Sequence, residues 1–295
     1  MPTVDQSFEH AVAPEVALPA PRPRRRRPPL FVVLAGAFTI LVLVLAVIGP
    51  IIANGAARDV SVNSALLSPS SSHPLGTDAL GRDVLARLVV GARTCVLGAL
   101  LITVLTAVLS TVIGLFAGYF GGWFDAVVSR LVDVVYSLPN LLVAIVVVGV
   151  LGGGYALAIA VLVVLAVPYN VRYIRAATLE QRGLPYIEAA RGLGLSRTTI
   201  ARRHILPNLS TVIISTVALR FTFAVVDLAT ISFLGLGVPP GTPDWGAMLS
   251  DSRATVFVTP WPMIAPLVMI ALTVISANVL GDWLHGKSIE RGRGE

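Results

Sequence analysis

One eight-residue stretch of the chain has the spacing of a phosphate-binding loop. Residues Gly281 to Ser288 read GDWLHGKS and match G-x-x-x-x-G-K-[ST], a pattern in which backbone N–H groups cradle phosphates. That chemistry needs a β-strand before the loop and a nucleotide fold after it. An apolar run precedes the stretch, and only seven residues follow Ser288. We therefore interpret the match as coincidence and expect no ATP hydrolysis by this chain.

Two ionisable residues lie inside an apolar run, where they could act on a solute. Arg220 and Asp227 are two helical turns apart, about 10 Å along a helix axis, so we do not expect simple mutual neutralisation. Charged groups at membrane depth are costly and usually face a bundle interior or an aqueous path. Two interpretations stay open: the residues line or gate a translocation path, or they pair with a partner subunit.

The most polar internal segment, residues 185–208, reads PYIEAARGLGLSRTTIARRHILPN. Pro185 suits the first turn of a helix, where its missing N–H has no bonding role. Gly194 can end that helix in a left-handed conformation, and Ser196 is a good N-cap for a second helix. Pro207 should limit the second helix. The segment therefore predicts a helix, a tight glycine turn and another helix, forming a polar island on which a soluble partner could dock.

Other candidates for catalysis or metal binding are dispersed along the chain. The four histidines, His10, His73, His204 and His285, fall in separate segments, so we predict no metal site. The single cysteine, Cys95, lies in an apolar run, which excludes a disulfide framework.

Composition indicates that a lipid bilayer is the solvent for most of the chain. The mean hydropathy is +0.83 and only 13% of the 295 residues are charged, values typical of a membrane protein. The net charge of +6 suits anionic lipid headgroups better than nucleic acid. We therefore expect membrane lipid as a partner and no nucleic acid.

The hydropathy pattern predicts an all-α polytopic membrane protein with six transmembrane helices. Its expected segments are a disordered basic leader (1–29), an uncleaved anchor helix (30–53), a loop with a surface-lying helix at Arg82–Val90 (54–93), a helical core (94–286) and a polar tail (287–295). Within the core we expect spans at about 94–119, 125–151 with a kink at Pro139, 155–173, 209–236 and 261–280. Gly114, Gly118 and Gly122 either let a second helix approach closely or are ordinary membrane-helix glycines.

The distribution of positive charge predicts the orientation. With the N-terminus inside, the inside segments contain 16 Lys and Arg residues and the outside segments five. The positive-inside rule then predicts that both termini and the polar island are cytoplasmic.

Several motifs occur together in a fixed order. The island contains Glu188, Ala189 and Ala190, a glycine four residues later, and the sequence HILPN. HPLGTDALGRDVLARL lies before it and SFLGLGVPPGTPDWGAMLSDSR after it. Over residues 70–285 the chain resembles permeases of ABC importers, and specifically the C-type subunit of dipeptide, oligopeptide and nickel importers. The long Arg/Pro-rich leader is atypical of that family.

The resemblance implies how the polar island works. In the family this loop, residues 176–208 here, couples the permease to a separate ATPase that uses ATP and Mg, so this chain should bind no cofactor. The matching coupling residues are Tyr186, Glu188, Ala189, Ala190, Arg191, Gly194, Ser196, His204, Leu206 and Pro207. It further implies a second homologous permease, two ATPase subunits and an extracytoplasmic solute-binding protein, at a bacterial inner membrane. Asp244 and Trp245 would contact that binding protein.

The leading hypothesis is a non-catalytic permease subunit for di- or oligopeptides, with nickel or another small solute as the alternative. Two further classes stay open. An ion-coupled secondary transporter would show inverted repeats and paired broken helices, and we find no convincing repeat. A membrane scaffold would use the island only to lie on lipid.

Overall fold

The computed structural model describes residues 29–292, with side chains through Lys287. The predicted leader, apart from Pro29, and the end of the predicted tail lie outside the described residues. The helices within the described range are α1 Leu30–Ile52, α2 Asn54–Arg58, α3 Val84–Ala92, α4 Gly98–Phe120, α5 Gly122–Tyr136, α6 Asn140–Val150, α7 Tyr155–Arg182, α8 Pro185–Gly192, α9 Arg197–Ile200, α10 Ser210–Phe233, α11 Trp245–Asp251 and α12 Trp261–Gly292.

The all-α polytopic fold class is confirmed. Within residues 29–292, five helical stretches are long and apolar enough to cross a membrane, and α5 with α6 makes a sixth if this bent pair counts as one span. The first span, Leu30–Ile52, lies close to its predicted bounds. The fourth continues to Arg182, nine residues beyond the predicted end at Tyr173, and so leads directly into the polar island.

The third span is broken, where a kinked but continuous helix was predicted. The axes of α5 and α6 differ by 87°. Pro139 precedes α6 with extended backbone dihedrals, φ −69° and ψ 101°. Since proline lacks an N–H and its ring obstructs the preceding turn, it ends α5 and starts α6 in a new direction.

The prediction of a surface-lying helix at Arg82–Val90 is wrong. The helix observed there is α3, and seven of its nine residues are buried, including Arg87 at 1% exposure. A π turn, Arg93–Leu97, joins α3 to α4, so one helical stretch runs from Val84 to Phe120. The helix is buried because α1 and α11 pack against it. Its amphipathic pattern reflects packing within the protein.

Pro207 does not end the second island helix as predicted. The chain stays helical from Arg197 to Phe233, passing from α9 through a π turn at Ala201–Ile205 and a 3₁₀ turn at Leu206–Leu209 into α10. Pro207 lies in the first turn of the 3₁₀ segment, where its missing N–H is tolerated. The change of helix type therefore absorbs the proline.

Helices α4 and α7 pack through two of the three glycines noted in the sequence. A Cβ added at Gly114 would lie 2.8 Å from the Cβ of Ile174, and one at Gly118 would lie 2.8 Å from the Cβ of Thr178. These contacts support the close-approach interpretation. Gly122 instead starts α5 with φ +68° and has open space around it.

Candidate coupling surface and translocation cleft

Helix α8 divides its residues between a buried and an exposed face. Ile187 and Ala190, three positions apart, are buried, whereas Glu188 and Ala189 are exposed. Because residues three apart share a helix face, the apolar pair anchors α8 while the carboxylate points outward. The acidic residue also lies in the first turn of α8, where the helix dipole favours negative charge.

The turn after α8 has the predicted geometry. Pro185 occupies the first turn of α8, and Gly194 has φ +77°, a conformation that favours glycine. The Ser196 hydroxyl accepts a hydrogen bond of 3.2 Å from the Thr199 N–H at the start of α9. The helix, glycine turn and second helix are therefore all present.

A hydrogen-bond network ties the island to the helices on both sides. The Tyr186 hydroxyl donates to Gln181 Oε1 at 2.7 Å, near the end of α7. Asn208 Nδ2 donates to the Tyr186 hydroxyl at 3.0 Å and to the His204 carbonyl at 2.7 Å. No sequence pattern points to Gln181, and Asn208 enters the sequence analysis only as the end of the HILPN motif.

We call residues 183–209 the coupling segment. Most of its predicted coupling residues reach the surface. The exposed ones are Tyr186, Glu188, Ala189, Arg191, Gly194, Ser196 and Pro207; His204 and Leu206 are half-buried, and Ala190 is buried. Leu193, beside the glycine turn, is 82% exposed. Leu184, Tyr186 and Leu195 are also exposed, and several exposed apolar side chains among charges form a surface suited to a protein partner.

The inner face of the coupling segment is anchored on α4 and α7. Ile187, Ile200 and Ile205 are fully buried and share one apolar cluster with Leu115 and Tyr119 of α4 and Ile174 of α7. Ile174 is also the residue that an added Cβ at Gly114 would meet. A displacement of α8 would therefore act directly on both membrane helices.

The expectation that Arg220 and Asp227 do not neutralise each other is wrong. Arg220 Nη2 donates to Asp227 Oδ2 at 2.7 Å, within α10. The sequence estimate compared backbone positions and neglected the length of the arginine side chain, which bridges the two turns. No partner subunit is needed for this pairing.

The ion pair lies in the wall of a large open cleft. The cleft has a volume of about 620 Å³, within the range typical of ligand sites. Residues of four helices line it: Asn140 and Leu141 of α6; Tyr169, Asn170 and Tyr173 of α7; Val212, Ser215, Thr216, Leu219, Arg220, Phe223 and Asp227 of α10; and His285 of α12. The break before α6 brings Asn140 to this wall. Sequence reasoning named only the two charged residues.

Asp244 and Trp245 are not placed for the direct binding-protein contact expected of them. Trp245 is fully buried and its Nε1 donates to the Leu88 carbonyl at 2.9 Å. Asp244 is 1% exposed and caps α11 by accepting from the Ala247 N–H. Burial raises the pKa of the Asp244 carboxyl, against the lowering effect of that N–H. These residues fix α11 against α3.

The motifs flanking α3 and α11 form a charge cluster that the sequence reasoning missed. Arg82 Nε lies 2.7 Å from Asp78 Oδ2, and Asp251 Oδ2 lies 3.2 Å from Arg82 Nη2 and 3.1 Å from Arg87 Nη2. We call these four residues the ion-pair cluster. Alternating acids and bases in TDALGRDVLAR and LSDSR were the available signal. The cluster joins the segment before α3 to α11.

The stretch with phosphate-loop spacing lies entirely within α12. In a helix the backbone N–H groups bond to carbonyls four residues earlier, so they cannot cradle phosphate. Gly281 instead serves packing, because a Cβ there would lie 2.6 Å from the Cβ of Ala218. The interpretation of this match as coincidence agrees with the structure.

Comparisons with known proteins agree on one family. The protein-family model described as "Binding-protein-dependent transport system inner membrane component" matches residues 110–289. The glutathione transport system permease protein GsiD of Shigella flexneri is 39% identical over 89% of this chain and 87% of its own length. The GsiD protein of Pectobacterium atrosepticum is 36% identical over 74% of this chain and 72% of its own length.

A solved structure supports the fold. The MetNI methionine ABC transporter, in an inward-facing conformation, contains a chain with a TM-score of 0.53, covering 69% of this chain and 96% of that one at 22% identity. The helical fold and the family match point the same way. The chain therefore belongs to the family of binding-protein-dependent transport system inner membrane components, as a multi-pass permease subunit of an ABC importer.

Proposed function

We propose that this permease forms half of the translocation path of an importer for short peptides. Its relatives are named for the transport of glutathione, which is a tripeptide. The 620 Å³ cleft with one ion pair and three aromatic side chains in its wall is compatible with a small polar solute. A second homologous permease would close the open side of this cleft.

The observation that carries the coupling role is that one face of α8 is buried and the other is exposed. Its exposed face, with Glu188 and Arg191, would occupy a cleft of an ATPase subunit. Its buried Ile187 would pass the motion of that subunit to α4 and α7. Two ATPase subunits would bind and hydrolyse ATP with Mg, and this chain would bind no cofactor.

The distribution of charge supports an orientation of the chain in the membrane and, with it, a side for each partner. The arginines of the coupling segment, Arg191, Arg197, Arg202 and Arg203, are exposed, which favours a cytoplasmic position for this face. Both termini would then also be cytoplasmic. An extracytoplasmic binding protein would deliver cargo on the side of α3 and α11.

Reconstitution tests this function. We would assemble the chain with its second permease, its ATPases and its binding protein in proteoliposomes and measure ATP-dependent uptake of triglycine, glutathione and Ni²⁺. We expect peptide uptake that stops when ATP or Mg is omitted. Uptake of Ni²⁺ alone would contradict the peptide cargo, and peptide uptake by this chain without ATPases would contradict the importer mechanism.

A further inference from the structure

The Arg220–Asp227 pair is incompletely satisfied. One hydrogen bond joins the two side chains, although a guanidinium has five donors and a carboxylate two acceptor oxygens. Arg220 Nε and, on α6, Asn140 Oδ1 are buried and have no hydrogen-bond partner among the described residues. The side chain of Asp227 remains 29% exposed. Both charges thus keep bonding capacity at the cleft.

Only a ligand with two opposite charges can separate this pair without a large penalty. Removing one partner of a pair in a poorly hydrated site leaves the other charge uncompensated. A ligand with one charge would therefore pair with Arg220 or Asp227 and leave the other without a counter-ion. A zwitterion replaces both partners at once, since its carboxylate can bind the guanidinium and its ammonium the carboxylate.

The arginine side chain decides how far apart the two charges lie. It closes the seven-residue interval in the present pair, although the Cα atoms are about 10 Å apart along α10. Turned away from Asp227, the guanidinium would leave a gap on the scale of an extended tripeptide, which spans about 10 Å. The cleft between and beside the charges is lined by Tyr169, Tyr173 and Phe223, which offer apolar contact without selecting one side chain. Such a site would bind the charged ends of a peptide and accept different side chains between them.

We propose that the ion pair of α10 opens to bind both termini of a zwitterionic peptide, with Arg220 taking the carboxylate and Asp227 the ammonium. In the closed pair the two side chains bond each other, and peptide release restores this arrangement. This inference rests on the proposed peptide function, to which it adds the groups that recognise cargo inside the membrane.

Equilibrium binding to the complete permease–ATPase complex, without the binding protein, tests the exchange. The probes are triglycine, triglycine amide and N-acetyl-triglycine at millimolar concentrations. We expect wild type to prefer triglycine about tenfold over either capped form, the scale of one charge-assisted contact. Arg220→Gln should lose only the preference over the amide, and Asp227→Asn only the preference over the acetylated form.

Two further variants keep the test interpretable. Arg220→Lys retains a positive charge and should retain part of the preference over the amide. Thr230→Val, on α10 outside the cleft, removes only an intrahelical bond to the Val226 carbonyl and should leave every ratio unchanged. The ratio of the affinity for triglycine to the affinity for a capped form, measured within one variant, does not depend on the expression level of that variant.

The outcomes separate this inference from the proposed function. Absence of triglycine binding by wild type, or equal ratios in wild type and both charge variants, would overturn the ion-pair exchange even if the reconstituted importer takes up peptide. Failure of the wild-type importer to take up any peptide would instead overturn the peptide function.

Discussion

The coupling segment and the ion-pair cluster are both rich in charge, but they use it in opposite ways. In the coupling segment the arginines at 191, 197, 202 and 203 are exposed and only apolar residues are buried. In the ion-pair cluster Asp78, Arg82 and Arg87 are buried at 6%, 5% and 1% exposure. One segment exposes its charges at the surface, and the other uses charge to hold its own chain together.

The difference shows that charge content does not identify a docking surface. Burial decides, because a buried charge is already paired and cannot contact a second protein without leaving a partner unsatisfied. Substitutions in the ion-pair cluster should therefore reduce stability at unchanged coupling. Substitutions in the coupling segment should reduce the number of peptides imported per ATP, with small effects on stability.

The largest loss of stability is expected for Arg87→Ala. Arg87 is 1% exposed and bonds Asp251, so its removal leaves Asp78 and Asp251 with Arg82 as the cation that still contacts both. We expect about 3 kcal/mol of destabilisation, measured by thermal unfolding in detergent. The matched control is Arg253→Ala, because Arg253 is exposed and lies two residues after Asp251, the last residue of α11. An equal loss of stability in both variants would contradict the contrast between buried and exposed charge.

A smaller loss is expected for Trp245→Phe. This change preserves most of the ring but removes the Nε1 donor to the Leu88 carbonyl. Leaving a buried acceptor unsatisfied costs about 1–3 kcal/mol. The unfolding temperature should fall, while the ratio of peptide uptake to ATP hydrolysis in reconstituted importer stays constant. A changed ratio would mean that α11 participates in coupling.

Gly194→Ala should cost about 1 kcal/mol and reduce coupling. Its φ of +77° disfavours any residue with a Cβ, so alanine should shift the turn between α8 and α9. Gly192→Ala is the control, since Gly192 lies within α8 with no atom near an added Cβ. We expect fewer peptides per ATP only for the variant at 194; the same result at 192 would indicate a general effect of bulk.

The smallest change in stability is expected for Glu188→Arg. Glu188 is exposed in the first turn of α8, where reversal of charge against the helix dipole costs at most about 1 kcal/mol. If its carboxylate meets the ATPase, uptake should nevertheless fall severalfold while ATP hydrolysis persists. The matched change Asp282→Arg, at an exposed position of α12 outside the coupling loop, should preserve uptake. Normal uptake in Glu188→Arg would assign coupling to other residues.

Local signals in the sequence predicted the coupling segment well. Pro185, Gly194 and Ser196 act through their own backbone preferences, so their roles are readable without knowledge of the fold. The same reasoning failed at Pro207, because tertiary packing allowed a π turn and a 3₁₀ turn that local propensity does not favour. The break at Pro139 was located correctly, but its 87° bend depends on neighbouring helices.

Long-range pairings account for the remaining differences. Arg87 and Asp251 are 164 positions apart, and Trp245 bonds a carbonyl 157 positions earlier. No periodicity within a single segment reveals such contacts. The amphipathic pattern of α3 was therefore taken for a membrane-surface helix, and buried Asp244 and Trp245 for docking residues.

The glycines at 114 and 118 have a mechanical consequence. They let α4 and α7 pack in direct contact, so the two helices should move as one rigid unit. The buried isoleucines of the coupling segment share an apolar cluster with residues of both helices. Because packed protein interiors have low compressibility, a displacement of α8 would move α4 and α7 together, with little of the displacement lost to bending of either helix.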